Sequence, residues 1–373
     1  MSEQVVETRS YNGFGRLYRG LTTVDFVGRR KMWFSVSLVI ILIGLASLGV
    51  RGFNFGIDFR GGSSWQVNSS QTSISAITQA AQSAGLSNPT VQKLGSSTYQ
   101  VTADLNNLSS SQQVSVTNKV ASALASAAKV SPNSVSTSSV GPTWGSQITS
   151  RALLALLLFF VAVVAYISLR FEFKMALSAF VAMVHDLLVT VGVYSLFGFQ
   201  ITPDTVIAVL TILGYSLYDT VVVFDRVRDN SRNILKSGDL TYSDMVNLSM
   251  NQTLARSINT SLVAILPVLA VLIVGAYILG AITLQDYGLA LVVGLFSGAY
   301  SSIFIASPLL AMIKEREPRY QELAARVVGR SGHHALSPAE AARLASESSQ
   351  RIAGLTVAPG TSVQPRARKA KRR

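Results

Sequence analysis

Cysteine is absent from the 373 residues, and histidine occurs only three times, as His185, His333 and His334. A chain without cysteine has no disulfide, no thiolate metal ligand and no nucleophilic thiol. The three histidines also lack the spacing of a zinc site or another metal site. The sequence therefore predicts a protein without a metal or an organic cofactor, and we expect no enzymatic activity.

Charged residues are also scarce. They make up 14% of the chain, whereas about 25% is usual in soluble domains. Hydrophobic residues make up 49%, and the mean hydropathy is +0.38. This composition is typical of a membrane protein. The formal net charge of +13 is explained more simply by basic loops and a basic tail kept in the cytoplasm than by specific binding of nucleic acid.

Six apolar runs are long enough to cross a bilayer as helices. They cover residues 32–50, 152–169, 175–197, 201–224, 257–280 and 287–313. The links 198–204 and 280–286 contain no lysine or arginine, whereas the links around residues 170–174 and 226–236 are basic. The positive-inside rule therefore predicts that both termini are cytoplasmic. The predicted division is a cytoplasmic segment 1–31, a first helix 32–50, an exterior domain 51–147, five further helices within 148–313, and a basic tail 314–373.

The predicted exterior domain has the periodicities of strands and helices. Residues 63–67 alternate like a strand, residues 73–86 carry apolar side chains at helical spacing, and further extended and helical stretches follow up to residue 140. The resulting order β-α-β-β-α-β predicts a ferredoxin-like α+β domain. Its polar, histidine-free surface favours contact with a partner over catalysis.

Asp219 lies within the fourth apolar run, where a carboxylate costs about 2.5 to 3.5 kcal/mol even on the lenient insertion scale. Thr211 and Tyr215 precede it at intervals of four residues and are expected on the same helix face. Two explanations stand side by side: a carboxylate fixed by hydrogen bonds between helices, and an acid that binds and releases a proton. We favour the second.

Arg256, at the predicted cytoplasmic start of the fifth helix, is the expected ion-pair partner of Asp219, because both residues lie at similar depth. The alternative is an ordinary basic flank that reaches the lipid headgroups. Asn259 and Thr260 extend this polar stretch by one turn, and hydrogen bonding between helices explains them without transport.

His185 and Asp186 lie near the middle of the third apolar run. Asp186 is as costly there as Asp219 and is a candidate for relaying protons deeper into the membrane. For His185, a packed polar contact is favoured over a titrating role.

Two glycine motifs complete the candidate residues. Asp58, Gly61 and Gly62 stand where the first helix gives way to the exterior domain, and the glycines there indicate either a turn or a hinge on which the domain swings. Gly294 and Gly298 form a small-xxx-small pair in the last run, which is typical of close helix packing.

Several motifs together resemble the SecF subunits of the SecD/SecF family. They are FGIDFRGG (55–62), VHD (184–186), GYSLYDTVVVFDRVRDNSR (214–232), ARSINTSL (255–262) and GAYSSIFIASPLL (298–310). The resemblance implies an accessory subunit of the Sec export machine in the bacterial cytoplasmic membrane, related to the proton-driven RND transporters. It implies protons as the coupling ion, and as partners a SecD-like subunit, the SecYEG channel with YidC as a further candidate, and unfolded preprotein.

Protonation of Asp219 would then break its attraction to Arg256 and free the fourth helix, with the exterior domain holding and releasing the preprotein. Two other functions remain open from the sequence. One is a half-size proton-driven efflux transporter, and the other is a passive assembly factor of the export channel. The basic tail is expected to contact anionic lipid.

Overall fold

The computed structural model describes residues 22, 24–94, 97–105, 107–237, 240–278 and 282–331 of the chain. Within them, six helices are long and apolar enough to cross a membrane. The first, α1 (Arg30–Arg51), leads through the short helix α2 (Ile57–Arg60) into a small sheet domain. That domain contains β1 (Gly62–Asn68), α3 (Ile74–Ser83), β2 (Thr90–Leu94), β3 (Thr98–Ala103), α4 (Ser110–Ala128) and β4 (Ser136–Val140).

The remaining helices follow the sheet domain in close succession. They are α5 (Pro142–Arg170), α6 (Phe173–Phe197), α7 (Pro203–Ser237), α8 (Tyr242–Ala270), a π-helical segment Val271–Ile278, α9 (Ile282–Ser301), a second π-helical segment Ser302–Ala306, α10 (Ser307–Lys314) and α11 (Pro318–Ser331). The sixth span thus consists of α9, the second π-helical segment and α10. It and α6 are the most deeply buried spans, whereas α1 and α5 lie at the periphery.

The sheet of the small domain is antiparallel, with the strand order β2-β3-β1-β4. Trp65 and Val67 alternate with Gln66 along β1 and are both buried in the domain's core. They pack with apolar side chains of α3 and α4, including Ile77 and Leu124. Because both helices supply this one core, the domain has its own hydrophobic centre outside the membrane-spanning helices.

The first and third spans cross at two glycines. A Cβ built on Gly44 of α1 would lie 2.6 Å from the Cα of Gly192 on α6, and a Cβ on Gly192 would lie 2.8 Å from the Cα of Gly44. The two backbones therefore touch at this point, which fixes α1 against the centre of the helix bundle.

The fifth helix begins earlier than the hydropathy of 257–280 predicts. Thr241 and Asp244 form a reciprocal capping box, so α8 starts at Tyr242. Its first turns are rich in polar residues, yet Tyr242, Met245 and Val246 are buried in the main core. Hydropathy alone does not detect this part of the helix, because tertiary packing rather than lipid covers it.

The segment 314–373, predicted as a basic tail, begins with packed structure. Lys314 is buried and contacts Glu172, and α11 places Tyr320, Leu323 and Val327 in the main core. The rest of the predicted basic tail, residues 332–373, lies outside the described residues, as do residues 1–21.

Candidate functional site

Asp186 lies at the centre of a cluster of serine hydroxyls contributed by two neighbouring helices. Ser216 on α7 donates to its Oδ2 at 2.6 Å, Ser301 on α9 donates to the same oxygen at 2.8 Å, and Ser297 on α9 donates to Oδ1 at 2.8 Å. The side chain is fully buried. Asp186 therefore joins α6, α7 and α9 through hydrogen bonds at a single carboxylate.

His185 completes this cluster from the same helix as Asp186. Its Nδ1 lies 3.2 Å from Asp186 Oδ1, and its ring stacks on Tyr300 with 6.0 Å between the ring centres. Tyr300 in turn donates to the carbonyl of Trp33 on α1 at 2.9 Å. The imidazole thus links the carboxylate cluster to the first helix, and it is nearly buried.

Asp219 lies one helical turn after Ser216 on α7, and its side chain is also buried. Ser302, the first residue of the second π-helical segment, donates to Asp219 Oδ2 at 2.5 Å. Ser257 of α8 lies beside the same carboxylate. Two neighbouring serines, Ser301 and Ser302, therefore contact two different buried aspartates.

Two glycines of α9 allow this helix to pack closely against α7. A Cβ on Gly298 would lie 2.9 Å from the Cβ of Ser216, and a Cβ on Gly294 would lie 2.3 Å from the Cδ1 of Ile212. Larger residues at either position would press the helices apart, and the serine hydroxyls would move away from the aspartates.

The expected ion pair between Asp219 and Arg256 is not formed. The Arg256 side chain is exposed, and no ion pair joins it to an acid within the described part of the chain. The physical reason is angular: successive residues of a helix point about 100° apart. Ser257, the next residue, is the one that faces Asp219. The depth inferred from the sequence was compatible with a pair, but the helix face was wrong.

The other polar residues predicted around Asp219 differ in their exposure. Thr211 is exposed, and its hydroxyl donates to the carbonyl of Ile207 in its own helix at 2.8 Å. Tyr215 is half-buried, Asn259 is exposed, and Thr260 donates to the carbonyl of Arg256 at 2.7 Å. The hydroxyls of Thr211 and Thr260 thus donate within their own helices and not to the carboxylates.

The segment with Asp58 and the paired glycines is docked on the helix bundle. Gly56 donates to the carbonyl of Ile201, in the link between α6 and α7, at 2.9 Å. Gly61 and Gly62 have φ angles of 77° and 121°, which favour glycine, and a Cβ on Gly62 would lie 2.7 Å from the carbonyl oxygen of Ala103. The backbone at the entrance to β1 therefore requires glycine-like φ angles at both positions.

Asp58 itself lies in α2 at the foot of the sheet domain. Burial raises the pKa of its carboxyl, its own backbone N–H lowers it in part, and the nearby charge of Asp204 raises it further. The pKa is raised overall, so Asp58 binds a proton more readily than an exposed aspartate.

The serines that contact the two aspartates are absent from the residues expected from the sequence. Ser301 and Ser302 follow the Gly294/Gly298 pair, which the sequence indicated as a motif of close helix packing. The sequence did contain a signal for these serines. They lie in an apolar run just after a small-xxx-small pair, and such a position places hydroxyls at an interface between helices. Ser297 lay in the same stretch.

Family profiles match most of the chain. The profile described as "Protein export membrane protein SecD/SecF, C-terminal" matches residues 119–316, and the profile "SecD/SecF GG Motif" matches residues 46–72. The chain is 43% identical over 333 residues to "Protein translocase subunit SecF" of Streptomyces coelicolor, which covers 89% of this chain and 88% of the relative. It is 40% identical over 365 residues to the protein of the same name from Mycobacterium tuberculosis, covering 94% and 82%.

The fold is similar to solved structures of a longer protein. SecDF of Thermus thermophilus, described as a translocon-associated membrane protein, matches with a TM-score of 0.70 and 29% identity. The match covers 80% of this chain and 39% of SecDF, so this chain spans about two fifths of that protein's length. SecDF in a form described as super-membrane-facing matches with a TM-score of 0.57 and 28% identity, covering 82% and 40%. The chain thus belongs to the SecD/SecF family of bacterial protein-export membrane proteins.

Proposed function

We propose that this chain is an accessory subunit of the Sec translocase that works with a SecD-like subunit and uses the proton motive force to complete the export of preproteins. The single observation that carries the proposal is Asp219. It is a carboxylate buried within a membrane-spanning helix, and the hydroxyl of Ser302 donates a hydrogen bond to it. Intramembrane acids are rare because they are costly, and they commonly mark proton pathways.

The names of the relatives support the role in export. The similar proteins from Streptomyces and Mycobacterium are called translocase subunits, and the similar solved structure is called translocon-associated. The SecYEG channel and YidC are therefore the neighbours that we propose in the membrane. Both termini lie in the cytoplasm in this proposal, because the basic connections are on that side.

An exposed polar face on α7 and α8 supports the need for a SecD-like partner. Thr211 and Tyr218 are exposed on α7, and Arg256 and Asn259 are exposed on α8. An arginine that faces lipid within a membrane span costs free energy. A second six-helix block that covers this face would remove the cost, and it would bring its own polar residues towards Arg256.

The energy available from protons is sufficient for a conformational switch. A proton that crosses a potential of about 150 to 200 mV releases about 3.5 to 4.6 kcal/mol. That free energy shifts an equilibrium between two states by a few hundredfold or more. We propose that the shift is passed from α7 to the sheet domain through the link that holds Gly56.

The sheet domain is the part that we propose to contact the preprotein. Its element order and its antiparallel strand order β2-β3-β1-β4 agree with the ferredoxin-like arrangement. It is a small unit with a polar surface and its own core, suited to holding an extended chain and releasing it. Asp58, Gly61 and Gly62 at its foot are the proposed hinge.

Export in inverted membrane vesicles tests this function. A preprotein is first inserted with ATP, ATP is then removed, and completion of export is followed with and without a proton gradient. We expect completion to require the gradient, this chain and a SecD-like subunit together. Completion at the same rate without a gradient would favour a passive assembly factor, and gradient-driven release of a small molecule or lipid without the channel would favour an efflux transporter.

A further inference from the structure

The two buried aspartates differ in the number of donors that surround them. Asp186 receives hydrogen bonds from Ser216, Ser297 and Ser301 and has His185 Nδ1 at 3.2 Å. For Asp219, the hydroxyl of Ser302 is the closely bound donor, at 2.5 Å. Three serine hydroxyls thus hold Asp186, whereas Asp219 has Ser302 as its closely bound donor, with Ser257 of α8 beside it.

The residues that contact the two aspartates are consecutive in the chain. Ser301 is the last residue of α9, and Ser302 is the first residue of the π-helical segment that follows. Side chains of consecutive helical residues point about 100° apart. Ser301 therefore contacts Asp186 of α6, while Ser302 contacts Asp219 of α7, and the position of one serine determines the position of the other.

The π-helical segment makes this junction adjustable. Short π-helical segments interrupt the ordinary hydrogen-bonding ladder and often occur at functional sites. Here the segment covers Ser302–Ala306, and the hydroxyl of Ser307 donates to the carbonyl of Ser302 at 3.3 Å. A junction of this kind needs an anchor if Ser302 is to meet Asp219 reproducibly, and Asp186 with its serines supplies one.

We propose that Asp186 is a positioning residue: it fixes Ser301, and thereby places Ser302 on Asp219, and it does not itself carry protons along the pathway. The inference rests on the proposed proton-driven function. It assigns to Ser301 and Ser302 a role in that function, and it replaces the deeper proton relay expected for Asp186 from the sequence. The carboxylate of Asp186 is required for its hydrogen bonds and not for its titration.

Substitutions of Asp186 separate positioning from proton transfer. In Asp186→Asn the amide keeps the size of the side chain, its carbonyl accepts from serine hydroxyls, and its NH₂ group donates to hydroxyls that turn to accept. In Asp186→Ala the buried serines lose their common partner. Neither variant can titrate at this position. A proton carrier would be inactivated equally by both changes, whereas a positioning residue would be replaced in part by asparagine.

Proton flux is the readout, measured in vesicles that contain this chain with its SecD-like partner at equal protein levels. We expect Asp186→Asn to lower the flux by about twofold to fivefold and Asp186→Ala by about tenfold or more, since the loss of buried hydrogen-bond partners is the larger perturbation. Ser178→Ala is the control, because Ser178 is a fully buried serine on the same helix whose hydroxyl donates to the carbonyl of Lys174. It should leave the flux unchanged.

A double-mutant cycle tests whether Asp186 acts through Ser302. We expect Asp186→Ala to lower the flux by less than about twofold when Ser302→Ala is already present, because the contact that Asp186 supports has been removed. If Ser302→Ala leaves too little flux to measure, Ser301→Ala takes its place, because it removes the hydroxyl through which Asp186 holds the junction. Equal losses in both backgrounds, or complete loss of flux in Asp186→Asn, would overturn the inference.

The same vesicles distinguish a failure of this inference from a failure of the proposed function. If Asp219→Asn conducts protons as the unaltered protein does, proton use at Asp219 is refuted, and the positioning role of Asp186 is refuted with it. If Asp219→Asn abolishes the flux while Asp186→Asn does the same, the proposed function stands and only the positioning role is refuted.

Discussion

The crossing of α1 and α6 at Gly44 and Gly192 offers a direct test of how tightly the bundle is packed. A Cβ on Gly44 would lie 2.6 Å from the Cα of Gly192. Carbon atoms in contact prefer separations of about 3.5 to 4.0 Å, so Gly44→Ala forces the two backbones apart by about 1 Å. Because the obstacle is backbone and not a flexible side chain, a change of rotamer cannot relieve it.

The magnitude follows from the balance of two effects. Overpacking in a dense interior costs about 1 to 3 kcal/mol, while replacing a helical glycine by alanine gains up to about 1 kcal/mol in helix propensity. Gly49 is a matched control in the same helix, because a Cβ there meets no atom within 4 Å. The propensity gain is common to both variants, so the difference in unfolding free energy between Gly44→Ala and Gly49→Ala isolates the steric cost of about 1 to 3 kcal/mol.

Reversible unfolding in mixed detergent micelles, followed by tryptophan fluorescence, measures this difference. We expect Gly49→Ala to be as stable as the unaltered protein or slightly more stable, and Gly44→Ala to be less stable than Gly49→Ala by the amount given above. Equal stability of the two alanine variants would refute the close approach of α1 and α6.

Two further predictions concern the sheet domain and the segment between α10 and α11. Gly62→Ala should destabilise the sheet domain more than Gly85→Ala. Both positions have positive φ, but only a Cβ at Gly62 also meets the carbonyl of Ala103, at 2.7 Å. Hydrogen exchange of β1 and β3 in the full chain measures this difference in stability, and equal exchange rates in the two variants would contradict the prediction. For Glu317, burial alone would raise the pKa, but hydrogen bonds from Lys174 and a neighbouring arginine lower it below 4.5 overall. The contribution of Glu317 to stability is therefore complete above about pH 4.5 and is lost as the pH falls through the lower pKa of the folded state. Glu317→Gln should flatten the acid side of a plot of unfolding free energy against pH. An unchanged plot would count against the ion pairs of Glu317.

Local periodicity and hydropathy were sufficient to predict much of the architecture. The alternation around Trp65 predicted β1, because every second residue faces the core. The six apolar runs predicted the spans, since a helix that faces lipid must be apolar. The polar first turns of α8 and the buried face of α11 escaped prediction, because protein covers them and their composition does not resemble that of a span.

The candidate site was predicted only in part, and the reason is geometrical. The presence of Asp186 and Asp219 in apolar runs is evident from the sequence, because an intramembrane acid is conspicuous by its cost. Which partners meet them depends on the rotation of each helix about its axis. A rotation of α8 by one residue position decides whether Arg256 or Ser257 faces Asp219. Serines are common in membrane helices, and the role of Ser216 and Ser301 is evident only from their hydrogen bonds to Asp186.

Gradient-driven completion of export by Asp219 variants tests the central claim, that this carboxylate couples proton movement to translocation. Asp219→Asn preserves size and hydrogen bonding but cannot titrate, whereas Asp219→Glu keeps a titrating group on a side chain longer by one methylene. With equal amounts of each variant assembled with the SecD-like subunit, we predict that Asp219→Asn abolishes gradient-dependent export and that Asp219→Glu retains part of it. Export by Asp219→Asn at the rate of the unaltered protein would contradict the claim and leave Asp219 as a packing residue.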